Sequence, residues 1–512
     1  MAVVVTEVAP APARAPAAAP HMEQFRRLFE ARAAGRAASL DEELRAAALA
    51  ELLAAGFPLR RDEEWVHTPL RAVAEARYRL GSAVPAPAAD GRGAELLREL
   101  VAGEPVALLT CNGALASPAV LAPLTGGAHG GGAGGGRGRG QSDIAGVRGA
   151  RGDLWPRCRE AFTRPLTTAF SRLARAFGDH AVLHCDAAAG VAPLHLVHLV
   201  EAGVLAAPRV TIRIAEGARV TLVESCVAVQ ADPGGATGAA AAGGAAANGT
   251  APGRRPAPSA PAATGAGPNG APWDGRRAAQ AASLSCADTE IRVGAGASLT
   301  YVRVQAAGAE AFDFGTTTVV QERDSELHAL SVALGGRIAR HTCNVLAAAP
   351  GTASRLGGVT AATGGQVLDH HTYVEHAAPG CASRQLYKTV LGRGGHGVFS
   401  GRILVRPVAQ QTDAFQLNQN LLLDDARVDT KPQLEIGADD VRCTHGATTG
   451  RLNEDQLFYL QARAIERSRA VRMLARGFLD EVVGELPAAA LRPRLLKLLH
   501  RRLDRIEGSI DR

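Results

Sequence analysis

The sequence predicts a mainly β core, either a β-solenoid or a β-sandwich, with α-helical segments before and after it. Short runs with an apolar residue at every second position recur between residues 210 and 436, and Gly, Asp or Asn separates many of them. The apolar residues before and after this region follow a helical period instead. A solenoid is favoured over a sandwich because similar strand-turn-strand units recur without Asn-Gly hairpin turns.

The first part of the chain is predicted to contain a tail, a helical domain and one strand. Residues 1–20 are rich in Ala and Pro and lack the charged start and apolar stretch of a secretory signal. They are interpreted as a disordered tail or the remnant of a transit peptide. Residues 21–105 are predicted to be a helical domain, in which Phe25 and Phe29 recur at helical spacing. The segment 106–124 then opens with the strand-like run VALLTCNG.

Two low-complexity insertions interrupt the chain, and both are predicted to be flexible. Residues 125–152 are Gly-rich, and residues 231–280 are rich in Ala, Gly and Pro within a β core that spans 153–452. The second insertion separates two similar units, VTIRIAEGARVTLVE and TEIRVGAGASLTYVR. Their equivalent turn glycines are Gly217 and Gly296. If the insertion loops out, these two units are expected to be neighbours in the folded core.

A C-terminal helical domain is predicted for residues 453–512. Asn453 is a suitable N-cap, and Gln456 three residues later completes a capping-box pattern. A second helix is predicted from Ser468 and a third over about 491–506, because apolar residues recur there at helical spacing.

Composition and missing motifs exclude several classes of function. The 512 residues are 46% hydrophobic but only 4% aromatic, and a formal net charge of +6 is weak support for nucleic-acid binding. The eight cysteines include no C-x-x-C pair, which argues against a zinc ribbon or a ferredoxin-type cluster and fits a reducing compartment. No apolar run is long enough for a membrane span, so a soluble protein is expected. ATP hydrolysis through a P-loop is excluded because the G-x-x-x-x-G-K-[ST] motif is missing.

Two groups of residues have the chemistry of metal ligands. His370, His371 and His376 are close in sequence, but strand geometry divides them between two faces, so ordinary hydrogen-bonded histidines are the favoured interpretation. Cys443 and His445 are two residues apart in an extended segment and therefore share a face. Two ligands are too few for a closed metal site. Either this pair is a buried thiol with a polar histidine, or another chain completes the site.

Several stretches resemble the SufB/SufD family of scaffold proteins for SUF iron–sulfur cluster assembly. The most specific are CASRQLYKTVLGRGGHGVFSGRILV (381–405) and VDTKPQLEIGADDVRCTHGATTGRLNEDQLFYLQARAI (428–465). The earlier stretches GFPLRRDEEWVHTPL and PLHLVHLV are similar to further parts of the family, so the resemblance covers most of residues 21–510. The run THGATTG stands where a SufB member is expected to have His-Glu-Ala, which favours the SufD side of the family.

This resemblance implies a fold, a role and partners. The fold would be a right-handed parallel β-helix flanked by α-helical N- and C-terminal domains, and the role a non-catalytic scaffold. A SufB-like subunit would pair edge-on with the β-helix. A SufC-like ABC ATPase would bind the C-terminal helices, with no nucleotide bound by this chain. His445 would bind iron or the transient iron–sulfur cluster shared with SufB, and Cys443 would be either a second ligand or a buried support.

The sequence also leaves two alternative functions open and indicates a cellular compartment. A SufD-like homodimer could deliver iron without SufB. A β-solenoid carbohydrate-active enzyme is disfavoured, because such enzymes need paired carboxylates and aromatic sugar platforms and the chain has three Trp and five Tyr. The bias toward Ala, Gly and Arg and the long insertions favour the plastid (chloroplast stroma), with the bacterial cytoplasm as the alternative.

Overall fold

The computed structural model describes a large part of the chain, with gaps. The residues described are 21–34, 39–81, 92–101, 104–116, 147–150, 161–163, 166–186, 192–229 and 282–507. The predicted tail, the whole of the insertion 231–280 and most of the insertion 125–152 lie outside these residues. No helix within them is long and apolar enough to cross a lipid bilayer.

The α-helices lie mainly near the two ends of the chain. They are α1 (Glu23–Ala33), α2 (Leu40–Ala55), α3 (Arg71–Glu75), α4 (Arg92–Val101), α5 (Ala169–Phe177), α6 (Glu454–Gln461), α7 (Arg467–Gly484) and α8 (Arg492–Glu507). The predicted Asn453 cap is present, since its side chain accepts two backbone hydrogen bonds at the start of α6. At the start of α2, the Ser39 hydroxyl accepts one from the Glu42 backbone.

The strands fill most of the chain between these helices. The first ten are β1 (Val106–Cys111), β2 (Ala114–Leu115), β3 (Val147–Ala150), β4 (His180–Cys185), β5 (Leu194–Glu201), β6 (Leu205–Ala206), β7 (Arg209–Ile214), β8 (Arg219–Val229), β9 (Leu284–Ser285) and β10 (Asp288–Val293). The others are β11 (Ser298–Ala306), β12 (Phe312–Gln321), β13 (Glu326–Ala333), β14 (Ile338–Ala347), β15 (Ala353–Ala362), β16 (Val367–His376), β17 (Ala382–Leu391), β18 (His396–Val405), β19 (Thr412–Leu422), β20 (Arg427–Ile436) and β21 (Val441–Gly450).

The strands form two sheets, and from β7 onward the chain passes back and forth between them. Sheet 1 has the order β2-β1-β5-β8-β11-β13-β15-β17-β19-β21, and sheet 2 the order β20-β18-β16-β14-β12-β10-β7-β4-β3 with β6 and β9 alongside. Neighbouring strands are parallel and in register along nearly the whole length: Ile338 pairs with Val367, which pairs with His396. This is a parallel β-solenoid, which confirms the predicted fold class.

The two ends of the solenoid differ. At the end nearer the N-terminus, the short strand β2 pairs antiparallel with β1, and β3 pairs antiparallel with β4. Strand β3 lies within the range 125–152 that the sequence predicted to be flexible, and its pairing shows that residues 147–150 belong to the sheet. At the other end, β20 and β21 each pair on one side only among the described residues.

The two similar units identified in the sequence lie on adjacent turns, as predicted. Strand β7 pairs with β10 and β8 pairs with β11, and the Gly217 amide donates to the Ala295 carbonyl at 2.9 Å. Both turn glycines adopt positive φ, 67° at Gly217 and 62° at Gly296. The turns that precede and follow residues 230–281 therefore stack directly on each other.

Helices cover the outer face of each sheet. Helices α1, α2 and α5 pack their apolar side chains, with Trp65, against sheet 2. Helices α7 and α8 pack against sheet 1, where buried Lys388 binds Glu481 of α7 at 2.6 Å. Helix α4 joins this second group, so the predicted helical domain 21–105 contributes to both sides. The apolar residues Leu96, Leu97 and Leu100 of α4 belong to the same hydrophobic core as residues of α8 and sheet 1.

The space between the sheets holds polar and ionisable groups as well as apolar ones. Arg303 is buried there; its Nη2 lies 3.0 Å from Asp313 Oδ2, and its Nε lies 3.6 Å from Glu224 Oε1. Tyr301 donates to Glu224 Oε2 at 2.8 Å. A Cβ at position 315 would lie 2.1 Å from Arg303 Nη2, so Gly315 leaves the room for this side chain. Such a cluster is tolerated inside because its charges are paired.

Buried histidines in this interior make the fold sensitive to acid. Burial lowers the pKa of His370 and of His376 to about 4. Because the unfolded chain binds these protons more readily, stability is lost as the pH falls from about 6.5 to about 4. We expect the free energy of unfolding to fall across this window by about 1.4 kcal/mol per pH unit for each such histidine, measured by denaturant titration at a series of pH values.

Two variants separate the histidines from other titrating groups. His370→Phe keeps an aromatic ring beside Tyr387 and is expected to reduce the pH dependence. Thr372→Val removes a non-titrating polar group from the same face of β16 and is expected to shift stability equally at every pH in the window. A wild-type stability that does not change between pH 6.5 and 4 would contradict the expectation.

Candidate functional site

The predicted ligand pair lies on the last strand of sheet 1. Cys443 and His445 belong to β21, in register with Ala414 and Gln416 of β19. Both side chains project to the same face, and Cys443 packs against the apolar interior between the sheets. Cys443 is half-buried, whereas His445 is exposed. The strand thus places a thiol and an imidazole side by side at the open end of the solenoid.

The environment of Cys443 keeps its thiol protonated in this isolated chain. Partial burial raises the pKa of the Cys443 thiol, the Asp413 carboxylate adds to this, and a hydrogen bond from the Ala414 backbone opposes it. A metal ion would have to displace the proton, because the thiolate is the form that binds soft metals. Binding of a metal ion at Cys443 would therefore release this proton.

The described residues do not complete a metal site at this pair. Among them, no three His, Cys, Asp or Glu side chains lie close enough to hold a metal ion together. The seven described cysteines are free thiols, and six of them are buried away from the surface. The role of this pair as a ligand stays a prediction.

The histidines of β16 are divided between faces, as strand geometry predicted. His371 faces outward, where its Nε2 lies 3.1 Å from Asp369 and its Nδ1 3.0 Å from Arg340. His370 and His376 face the interior; His370 packs against Tyr387, and His376 Nε2 lies 2.9 Å from the Ser383 hydroxyl. These contacts fit packed and hydrogen-bonded histidines.

Comparison with known proteins places this site within a recognised domain. Residues 274–478 match the family model described as "SUF system FeS cluster assembly, SufBD core domain". The match includes all strands from β9 to β21 and most of α7. This part of the chain is thus similar to the SufBD core domain.

Several curated proteins are also similar to part of the chain. An iron–sulfur cluster assembly SufBD family protein of Synechocystis sp. is 36% identical over 40% of this chain and 46% of its own length. The iron–sulfur cluster assembly protein SufD of Escherichia coli is 32% identical over 42% and 51%. The chloroplastic protein ABCI7 of Arabidopsis thaliana is 38% identical over 34% and 38%. The chain thus spans about half the length of these relatives, or less.

The SufBD core domain places one row of polar side chains beside His445 that the sequence analysis missed. Gln385, Gln416 and His445 are in register on successive strands of sheet 1. Gln416 is fully buried and donates from Nε2 to Gln385 Oε1 at 3.3 Å, and Thr372 donates to the same oxygen at 2.8 Å. The alternation in QTDAFQLNQN, where every second residue is buried, is the sequence signal that could have indicated this row.

A glycine on the opposite sheet makes room for this row. A Cβ at Gly401 would lie 2.1 Å from Gln416 Nε2 and 2.7 Å from the ring of Phe399. We expect Gly401→Ala to lower the free energy of unfolding by about 1–3 kcal/mol, because the added methyl group overpacks the interior. Chemical denaturation measures this loss.

Gly450→Ala is the matched control on β21, since nothing lies within 4 Å of a Cβ there. It is expected to change stability by less than about 0.5 kcal/mol. If Gly401→Ala is as stable as the wild type, the expectation is wrong, and the Gln416 side chain can move aside without loss of stability.

Proposed function

We propose that this chain is a non-catalytic scaffold subunit of the SUF complex, which helps to build a nascent iron–sulfur cluster at an interface with a SufB-like subunit. The observation that carries the proposal is the incomplete pair Cys443 and His445 at the open end of a SufBD core domain. The cluster is the cargo of this site, and His445 is its proposed ligand. The relative named as SufD, an iron–sulfur cluster assembly protein, supports the same role.

The open end of the solenoid suits a partner that adds strands. Unpaired N–H and C=O groups on an edge strand favour pairing with another chain. Both β20 and β21 present such an edge within the described part of the chain. Exposed apolar side chains also surround this end: Val408 is 64% exposed, and Ile436 and Phe415 are exposed as well. A SufB-like partner covering these groups would bring its own ligands to His445.

The C-terminal helices suit the proposed ATPase partner. Helix α6 buries only Leu457 and presents Phe458, which is 72% exposed, beside exposed Tyr459. Aromatic side chains that are exposed together are typical anchors of protein–protein interfaces. In this proposal a SufC-like ATPase binds here and hydrolyses the nucleotide, so this chain does not need a nucleotide site.

A second copy of this chain is the alternative partner for the open end, in a homodimer that acts in iron delivery without SufB. The same edges of β20 and β21 favour both partners, so the molar mass in solution separates them. A chain that is monomeric alone and forms a complex with the SufB-like subunit supports the scaffold. A stable dimer that excludes SufB supports the alternative.

We place this function in the plastid. The chloroplastic relative from Arabidopsis thaliana supports this location, together with the composition of the insertions. The bacterial relatives support a bacterial cytoplasm as the alternative. Fractionation of the source cells with an antibody against this chain distinguishes the two.

Replacing His445 tests the ligand. His445→Ala is expected to leave the complex with SufB-like and SufC-like subunits intact, because the exposed side chain contributes little to the solenoid core. Cluster content after anaerobic reconstitution with iron and sulfide is expected to fall at least tenfold, measured by absorbance per complex.

Thr444→Ala is the control, since Thr444 is exposed on the opposite face of the same strand. It is expected to retain the wild-type cluster content. Unchanged cluster content in His445→Ala would remove this residue from the site and leave the chemistry to the partner.

Replacing Phe458 tests the ATPase surface. Phe458→Glu is expected to weaken binding of the SufC-like subunit by about 30-fold, because a charged group replaces an apolar anchor. The fold should be unaffected, since this side chain is exposed. Calorimetric titration of the isolated subunits measures the change.

Leu59→Glu is the matched control, because Leu59 is 52% exposed and lies in the N-terminal part of the chain. Its affinity for the ATPase subunit is expected to equal that of the wild type. Wild-type affinity in Phe458→Glu would place the ATPase elsewhere on this chain.

A further inference from the structure

We propose that Gln416 is a positioning residue for His445. When the His445 ring turns toward this row, the Gln416 side-chain oxygen accepts a hydrogen bond from one ring nitrogen, which leaves the other nitrogen free to bind iron. This inference rests on the proposed function. It concerns which of the two ring nitrogens of His445 binds the cluster.

The register of sheet 1 puts the two side chains next to each other. Gln416 on β19 pairs directly with His445 on β21, and Gln385 on β17 is the next member of the row. Side chains at paired positions of neighbouring strands point to the same face and lie within contact distance. Gln416 therefore stands between Gln385 on one side and His445 on the other.

The direction of the Gln416 amide is fixed from the Gln385 side. Its Nε2 donates to Gln385 Oε1, which also accepts from the Thr372 hydroxyl. The oxygen and nitrogen of a primary amide lie on opposite sides of Cδ. With the nitrogen committed toward Gln385, Oε1 is directed away from that neighbour, toward the row position that His445 occupies.

This oxygen lacks a donor in the described residues. Gln416 is fully buried, and its Oε1 forms no hydrogen bond there. An unsatisfied buried acceptor costs about 1–3 kcal/mol, so a donor that can reach it is favoured. The imidazole of His445 is exposed, and a ring nitrogen that carries a proton is such a donor.

The consequence for the site is a defined tautomer. In a neutral imidazole one nitrogen carries the proton and the other has the lone pair that binds a metal. A hydrogen bond from the protonated nitrogen to Gln416 fixes which nitrogen is which and orients the ring. Gly401 supports this arrangement from the opposite sheet, because a larger residue would displace the Gln416 amide.

The first test reads the tautomer directly and needs no cluster. The full chain is labelled with ¹⁵N in the histidine rings and studied by NMR at about pH 8, where an ordinary imidazole is neutral. The signals of His445 are assigned by their loss in His445→Ala. The wild type is expected to show one dominant tautomer, and Gln416→Met, which keeps the length but removes the acceptor, a mixture of two.

Two further variants make this readout specific. Gln416→Glu keeps an acceptor at the same position and is expected to restore the single tautomer. Gln419→Met alters the same strand on its opposite, partly exposed face and is expected to leave the His445 signals unchanged. Equal tautomer populations in the wild type and Gln416→Met would overturn the proposal.

The second test asks whether the hydrogen bond matters for iron. In the reconstituted complex, Gln416→Met is expected to lose iron to a chelator with an apparent affinity about 10–100-fold weaker than that of the wild type. If Gln416→Met shows mixed tautomers of His445 but retains iron as well as the wild type does, the positioning role is overturned. If His445→Ala retains its cluster, the proposed function fails, but the NMR result still decides whether Gln416 holds the ring.

Discussion

Parallel hydrogen bonding between successive turns sets the position of every side chain in the solenoid. Because each strand is in register with the strands above and below, residues at equivalent positions form straight rows along the sheets. A one-residue shift of any turn would exchange interior and surface for its whole strand. The row from Leu356 through Gln385 and Gln416 to His445 exists only because three successive pairings keep this register.

The two helical layers follow from the same rows. The outward rows of sheet 1 and sheet 2 are apolar over much of their length, and burying them requires covering elements. The N-terminal helices cover one sheet and the C-terminal helices the other, whereas the residues of β20 and β21 in the last turn are half-buried or exposed. The interior rows contain charges and histidines, so this core depends on paired polar groups as well as on apolar packing.

Local patterns in the sequence predicted much of the fold. Alternating strands, helix caps and the repeated units around Gly217 and Gly296 each reflect short-range physics, and the structure has all three. The placement of Cys443 and His445 on one face followed from the two-residue period alone. The side on which α4 packs, the buried Arg303 cluster and the Gln416 row were not predicted. Each depends on which distant strands become neighbours, and polar residues inside a solenoid look like surface residues in a linear pattern.

The antiparallel strands β2 and β3 have a consequence for assembly. A solenoid with two bare ends could stack end to end without limit, because a head-to-tail contact leaves a fresh end after every addition. Here the short reversed strands β2 and β3 interrupt the parallel pattern at one end, so within the described chain only the end at β20 and β21 continues it. Two subunits that paired through these ends would leave no such end at which a third subunit could add. In the complex proposed above, this feature favours a pair of subunits over a fibre.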